Sequence, residues 1–118
     1  MDLKILEDAG LSQTEAKTYL ALLELGSALA GQITQKAEIN RTNVYDALER
    51  LIKKGLVTYV ITANRKVFEP VPPERLLEVL KEKQDKLHRS LPELNELFRT
   101  NKTKEEATLF KGKKGIKT

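Results

Sequence analysis

The stretch from Asn40 to Gly55 constrains this chain most, because a start signal, a stop signal and a two-faced helical period fall within it. Asn40 has a side-chain oxygen that can accept from an orphan amide of a first helical turn, and Gly55 behind Lys53 and Lys54 is a C-terminal stop. About four turns fit between them. At about 100° per residue, Val44, Leu48, Leu51 and Ile52 gather on one side with Ala47 at its edge, and Thr42, Asn43, Asp46, Glu49, Arg50 and Lys53 share the other. One face reads as core and the other as a polar surface. That surface begins with Arg41, Thr42 and Asn43, the forked cationic and short hydrogen-bonding types that reach phosphates and base edges in a DNA groove. An ordinary surface helix with a solvated face would look the same in isolation, so the flanking sequence decides.

Upstream, Leu3, Leu6 and Ala9 mark a short helix stopping at Gly10. Ser12 and Glu15 then form a capping box that opens a helix carrying Ala16, Tyr19, Leu20, Leu22 and Leu23, ended by Gly26. Gly31 to Lys36 predicts another short helix, with Ile33 and Ala37 inward, leading through Glu38 and Ile39 to the cap at Asn40. Two helices joined by three or four residues, the second bearing the polar face, is the helix-turn-helix pattern. The recognition helix is then Asn40 to Lys54.

Downstream of Gly55 the period changes to about 2. Leu56 to Ile61 and Lys66 to Val71 predict two strands, with Thr62-Ala63-Asn64-Arg65 as their turn. A hairpin directly after a helix-turn-helix is a wing, and Arg65 and Lys66 sit at or beside its tip, where a cation reaches a phosphate or the minor groove. Pro72 and Pro73 announce a last helix. Along it Leu77, Leu80, Gln84, Leu87, Leu91, Leu94 and Phe98 alternate spacings of three and four, a heptad seam with one polar position. This seam predicts a coiled-coil-like homodimer contact, the alternative being that it packs on the chain's own winged domain. Pro92 removes an amide donor and predicts a kink or restart near Ser90. From Asn101 the chain is lysine-rich, and it reads as a frayed basic tail with one strand-like run at Ala107 to Phe110.

The expected architecture is mostly α with a small β-hairpin, a winged helix-turn-helix followed by a long C-terminal helix. Residues 1–72 form the DNA-binding domain, 73–100 the dimerisation helix, and 101–118 a basic tail or the start of a truncated effector domain. Composition excludes several other functions. Without cysteine and with one histidine, His88, there is neither a disulfide framework nor a thiolate or histidine-cluster metal site, so no cofactor is expected. No apolar run of membrane-spanning length occurs and the acidic start is unlike a signal peptide, which points to a cytoplasmic protein. The net charge of +4 is concentrated: residues 31–72 carry seven bases and four acids, whereas residues 1–30 carry two and five. That places a positive face around the recognition helix.

Gly10 to Gly26, Asn43 to Val57 and the run from Glu69 to Glu74 resemble the N-terminal winged helix-turn-helix domain of the TrmB family of archaeal transcriptional regulators, over residues 3 to about 100. The resemblance implies binding to double-stranded DNA as a homodimer, with Arg41 and Tyr45 facing DNA beside Thr42 and Asn43. Leu29, Glu38 and Asn40 depart from the threonine, glycine and proline common in the family, and Ser27 and Asn40 are expected to supply caps instead. Ala107 to Ile116 resembles the opening strand of the effector domain with which longer members bind sugars. Either a DNA-binding fragment or a naturally short regulator fits this outline, and the effector ligand is unknown.

The DNA-binding residues expected are Arg41, Thr42, Asn43, Tyr45, Arg50, Arg65 and Lys66. Those of the dimer contact are Leu77, Leu80, Leu87, Leu91, Leu94 and Phe98. The competing reading is a winged-helix protein-interaction module of a transcription-related assembly, modestly favoured by Asp46 and Glu49 on the reading face. An enzyme is not expected, since nothing resembles a nucleophile with an orienting partner.

Overall fold

Each helix start is written locally. Asp2 caps α1 (Leu3–Asp8), and Ser12 and Glu15 form the reciprocal capping box of α2 (Gln13–Leu25), with Gly26 beyond it at a φ of 86°. Helix α3 (Ala30–Ala37) is followed by Glu38 in the left-handed region. Asn40 Oδ1 accepts from the Asn43 amide at 2.8 Å to begin α4 (Arg41–Lys53). Strands β1 (Val57–Thr62) and β2 (Arg65–Pro70) pair antiparallel, and α5 (Glu74–Thr108) follows. The computed structural model describes residues 2–108, with side chains through residue 101.

The core lies where α2, α3 and α4 meet the base of the hairpin. Tyr19, Leu22, Ile33, Val44, Leu48, Leu51, Leu56 and Val57 are fully buried there, and Phe68 closes it from β2. Ala47, read as the edge of the apolar face, is fully buried too. Burying side chains of this size contributes roughly 1.5–3 kcal/mol each, which fixes the inner face of α4 and leaves the opposite face outward. Ala28 adds a bridge to Phe68 through a reciprocal pair of backbone hydrogen bonds, so β2 is flanked on both sides. Tyr19, although fully buried, donates its hydroxyl to the Val71 carbonyl at 2.7 Å and ties α2 to the end of the wing.

Four expectations need correction. Both hairpin strands run one residue further toward the turn than expected: Thr62 pairs with Arg65 across the turn at 62–65, leaving Ala63 and Asn64 as its two central residues. Ser27 does not cap α3. Its hydroxyl lies 3.4 Å from Glu69 Oε2, and Leu29 occupies the cap position with no side-chain acceptor to offer. Of the kink or restart expected near Ser90, the restart is absent: α5 runs through Pro92 as a single element. Finally, Ala107 and Thr108 are helical, not strand; Leu109 and Phe110 lie outside the described residues.

The chain divides into two compact units, Met1–Lys81 and Glu82–Thr118. In the first, Leu76 of α5 packs against the core. In the second, the described side chains, Leu87, Leu91, Leu94 and Phe98 among them, are all exposed.

Candidate nucleic-acid interface

Helix α4 presents Arg41, Thr42, Asn43, Tyr45, Asp46, Glu49 and Arg50 to solvent, because Val44, Ala47, Leu48 and Leu51 are committed to the core. On the hairpin, Arg65 and Lys66 are exposed next to the two-residue turn. All seven residues expected from sequence are therefore accessible. They do not form one cluster. Arg41, Tyr45, Arg65 and Lys66 line a cleft between the starts of α3 and α4 and the wing. Thr42 and Asn43 lie on the exposed face of α4 outside that lining. Arg50 is likewise exposed on α4 outside that lining.

Aromatic rings hold the cations. The Arg41 guanidinium lies 6.0 Å from the Tyr45 ring centroid, one helical turn along α4, and the Lys66 ammonium lies 4.6 Å from that of Tyr59. Tyr59 is the cross-strand partner of Phe68, with ring centroids 5.9 Å apart, and lies diagonally across the hairpin from Lys66, whose own partner is Ile61. The sequence reading missed Tyr59 as a support. The signal available was its period-2 relation to Val57 and Ile61 on one face of β1. A neighbouring cleft, between α4 and β2, is lined by Tyr45, Asp46, Glu49, Ile52 and Lys66 among others, and brings carboxylates beside the cationic one.

The far end of α4 is anchored. The Lys54 ammonium bonds Glu15 Oε1 at 2.8 Å, and the same oxygen accepts from the Ser12 amide at 2.8 Å. Burial pushes the Glu15 carboxyl up, but the Lys54 and Ser12 hydrogen bonds, with the fields of Lys54 and Arg50, outweigh it and hold its pKa below the ordinary value. Burial, then the Glu74 charge, push the Tyr19 phenol up. Among the described residues no cluster of His, Cys, Asp or Glu could hold a metal ion, and no helix is long and apolar enough to cross a membrane.

A three-helix core with a helix-turn-helix, an exposed polar face on its second helix and a basic hairpin define a winged helix-turn-helix protein. Residues 6–74 match the family described as sugar-specific transcriptional regulator TrmB, and the chain belongs to that family. It is 36% identical over 80 residues to the HTH-type sugar sensing transcriptional regulator TrmBL1 of Pyrococcus furiosus, covering 68% of this chain and 23% of that protein. The uncharacterized protein YrhO of Bacillus subtilis is 32% identical over 76 residues, or 64% of this chain and 27% of that one. The chain thus spans about a quarter of the length of these curated relatives. Among solved structures, that of TrmBL2, an archaeal chromatin protein described as showing a novel mode of DNA binding, superposes with a TM-score of 0.65 at 26% identity, over 89% of this chain and 40% of that one. A mutant of S. aureus MepR bound to an oligodeoxyribonucleotide shares the fold, with a TM-score of 0.54 at 21% identity, over 88% of this chain and 83% of that one.

Proposed function

We propose that this chain binds double-stranded DNA in the cytoplasm as a sequence-specific transcriptional regulator, with α4 in the major groove and the wing on the backbone. The observation that carries the reading is the position of Arg65 and Lys66, which line one cleft with Arg41 and Tyr45 beside the exposed Thr42 and Asn43. Phosphate-facing cations flanking a helix with short hydrogen-bonding side chains is the division of labour that DNA recognition requires. Family membership and the likeness to TrmBL2 support it further. Under this reading the apolar stripe from Leu77 to Phe98 along α5 joins two copies, and each copy reads one half-site.

The test is selection of bound sequences from a random duplex pool, followed by titration of the recovered site against salt. A preferred sequence whose affinity falls steeply between low and physiological salt is expected. Equal binding to all pool members, or salt-independent binding, would sink the reading in favour of a protein-interaction surface.

A further inference from the structure

The cleft lined by Gly31, Arg41, Tyr45, Arg65, Lys66 and Phe68 encloses about 260 Å³, and no carboxylate is among its lining residues. Three cations drawn from two separate elements converge on it. Among the described residues Arg41, Arg65 and Lys66 form no ion pair, and two of them rest on tyrosine rings. Like charges held around one concavity repel one another unless an anion joins them. The position of Arg41 is specific. A Cβ added at Gly31 would lie 3.8 Å from Arg41 Nη2, so the guanidinium lies back beside α3 and does not project ahead of α4.

We propose that this cleft seats a single phosphodiester of the DNA backbone, held jointly by Arg41, Arg65 and Lys66. Arg41 is then an anchor and not a base reader. The inference rests on the DNA-binding reading above and deepens it. A helix in the major groove and a hairpin on the adjoining backbone flank the strand that borders that groove, and the cleft lies between those elements. A guanidinium fork matches the non-bridging phosphate oxygens, while an ammonium adds a point charge from the wing side. Base reading falls to Thr42 and Asn43, with Asp46 able to accept from cytosine.

The experiment uses the full chain and its selected duplex, with backbone phosphates replaced one at a time by neutral methylphosphonates. Wild-type protein is expected to lose on the order of tenfold in affinity at one phosphate per half-site. Arg41→Ala, Arg65→Ala and Lys66→Ala should each weaken binding to the unmodified duplex, and each should lose most of the further penalty at that same phosphate. Arg41→Ala should also leave the ranking of sequences unchanged. Arg41→Gln, which keeps the bulk and removes the charge, gives the same readout if the alanine variant does not fold. Three cations coupled to three different phosphates would overturn the shared seat, as would a sequence ranking that changes when Arg41 is replaced. Wild-type protein that binds no DNA would instead remove the DNA-binding reading itself.

Discussion

At Glu15 one carboxylate oxygen serves two partners from different parts of the chain, the Ser12 amide three residues away and the Lys54 ammonium 39 residues away. Glu15 is only 3% exposed, so removing its cation leaves a buried charge with one donor fewer. Lys54→Met is therefore expected to cost about 1–3 kcal/mol, read as a lower thermal midpoint. Because the folded-state pKa is depressed, the contribution of Glu15 is fully present above the ordinary value of 4.5 and is lost as pH falls below that through the folded value. Thermal midpoints followed downward from about pH 5 should accordingly fall more steeply for the wild type than for Glu15→Gln; parallel curves would refute this. Thr18 makes the opposite prediction. Its Oγ1 is buried without a hydrogen-bond partner among the described residues, so Thr18→Val should raise the midpoint by the equivalent of about 1 kcal/mol. The Ser12–Glu15 box was legible because it is local. Lys54 and the orphaned Thr18 hydroxyl were not, because both depend on how elements pack, which a helical period does not encode.

At the level of elements, the capping residues and the 3.6-residue period located α2 and α4 closely, and the switch to period 2 located the hairpin. The turn was read at the right four residues, but each strand was read one residue short beside it. A type I′ two-residue connection requires positive φ at both central positions, and here Ala63 and Asn64 have φ of 53° and 63°. Asparagine tolerates this region but alanine carries a Cβ penalty there, so composition gave no sign that the strands close directly on these two residues. Ala63→Gly is expected to stabilise the hairpin by up to about 1 kcal/mol, measurable as a higher thermal midpoint. A lower midpoint would mean that the turn is less constrained than its dihedral angles indicate. At α3 the expected cap failed for a different reason. Gln32 reaches back to the Leu29 amide at 2.8 Å, so half of a capping box forms without a serine or threonine. Proline at position 92 was read as a kink or restart, since it removes an amide donor and crowds the carbonyl four residues earlier, yet the 35-residue helix continues through it.

For the whole molecule, charge and apolar surface point to separate tasks. Residues 73–100 carry six bases and six acids, so no net charge opposes the approach of a second copy along α5. Leu77, Leu87, Leu94 and Phe98 are 69%, 58%, 46% and 63% exposed, a row of large apolar side chains that a monomeric helix leaves in water. With Leu80, Gln84 and Leu91 between them the spacing alternates three and four, that of a helix seam, and Gln84 is its one polar position, of the kind that sets register. If α5 joins two copies, Leu80→Glu with Leu87→Glu places buried charges in the contact and should give monomers by light scattering at tens of micromolar, against dimers for the wild type. The double variant should keep the wild-type fold of residues 1–72, because Leu80 and Leu87 are exposed and neither belongs to the core. Its affinity for a two-half-site duplex should fall toward that for one half-site, since the second contact loses its effective concentration. A monomeric wild type at the same concentration would show that the stripe does not join two copies.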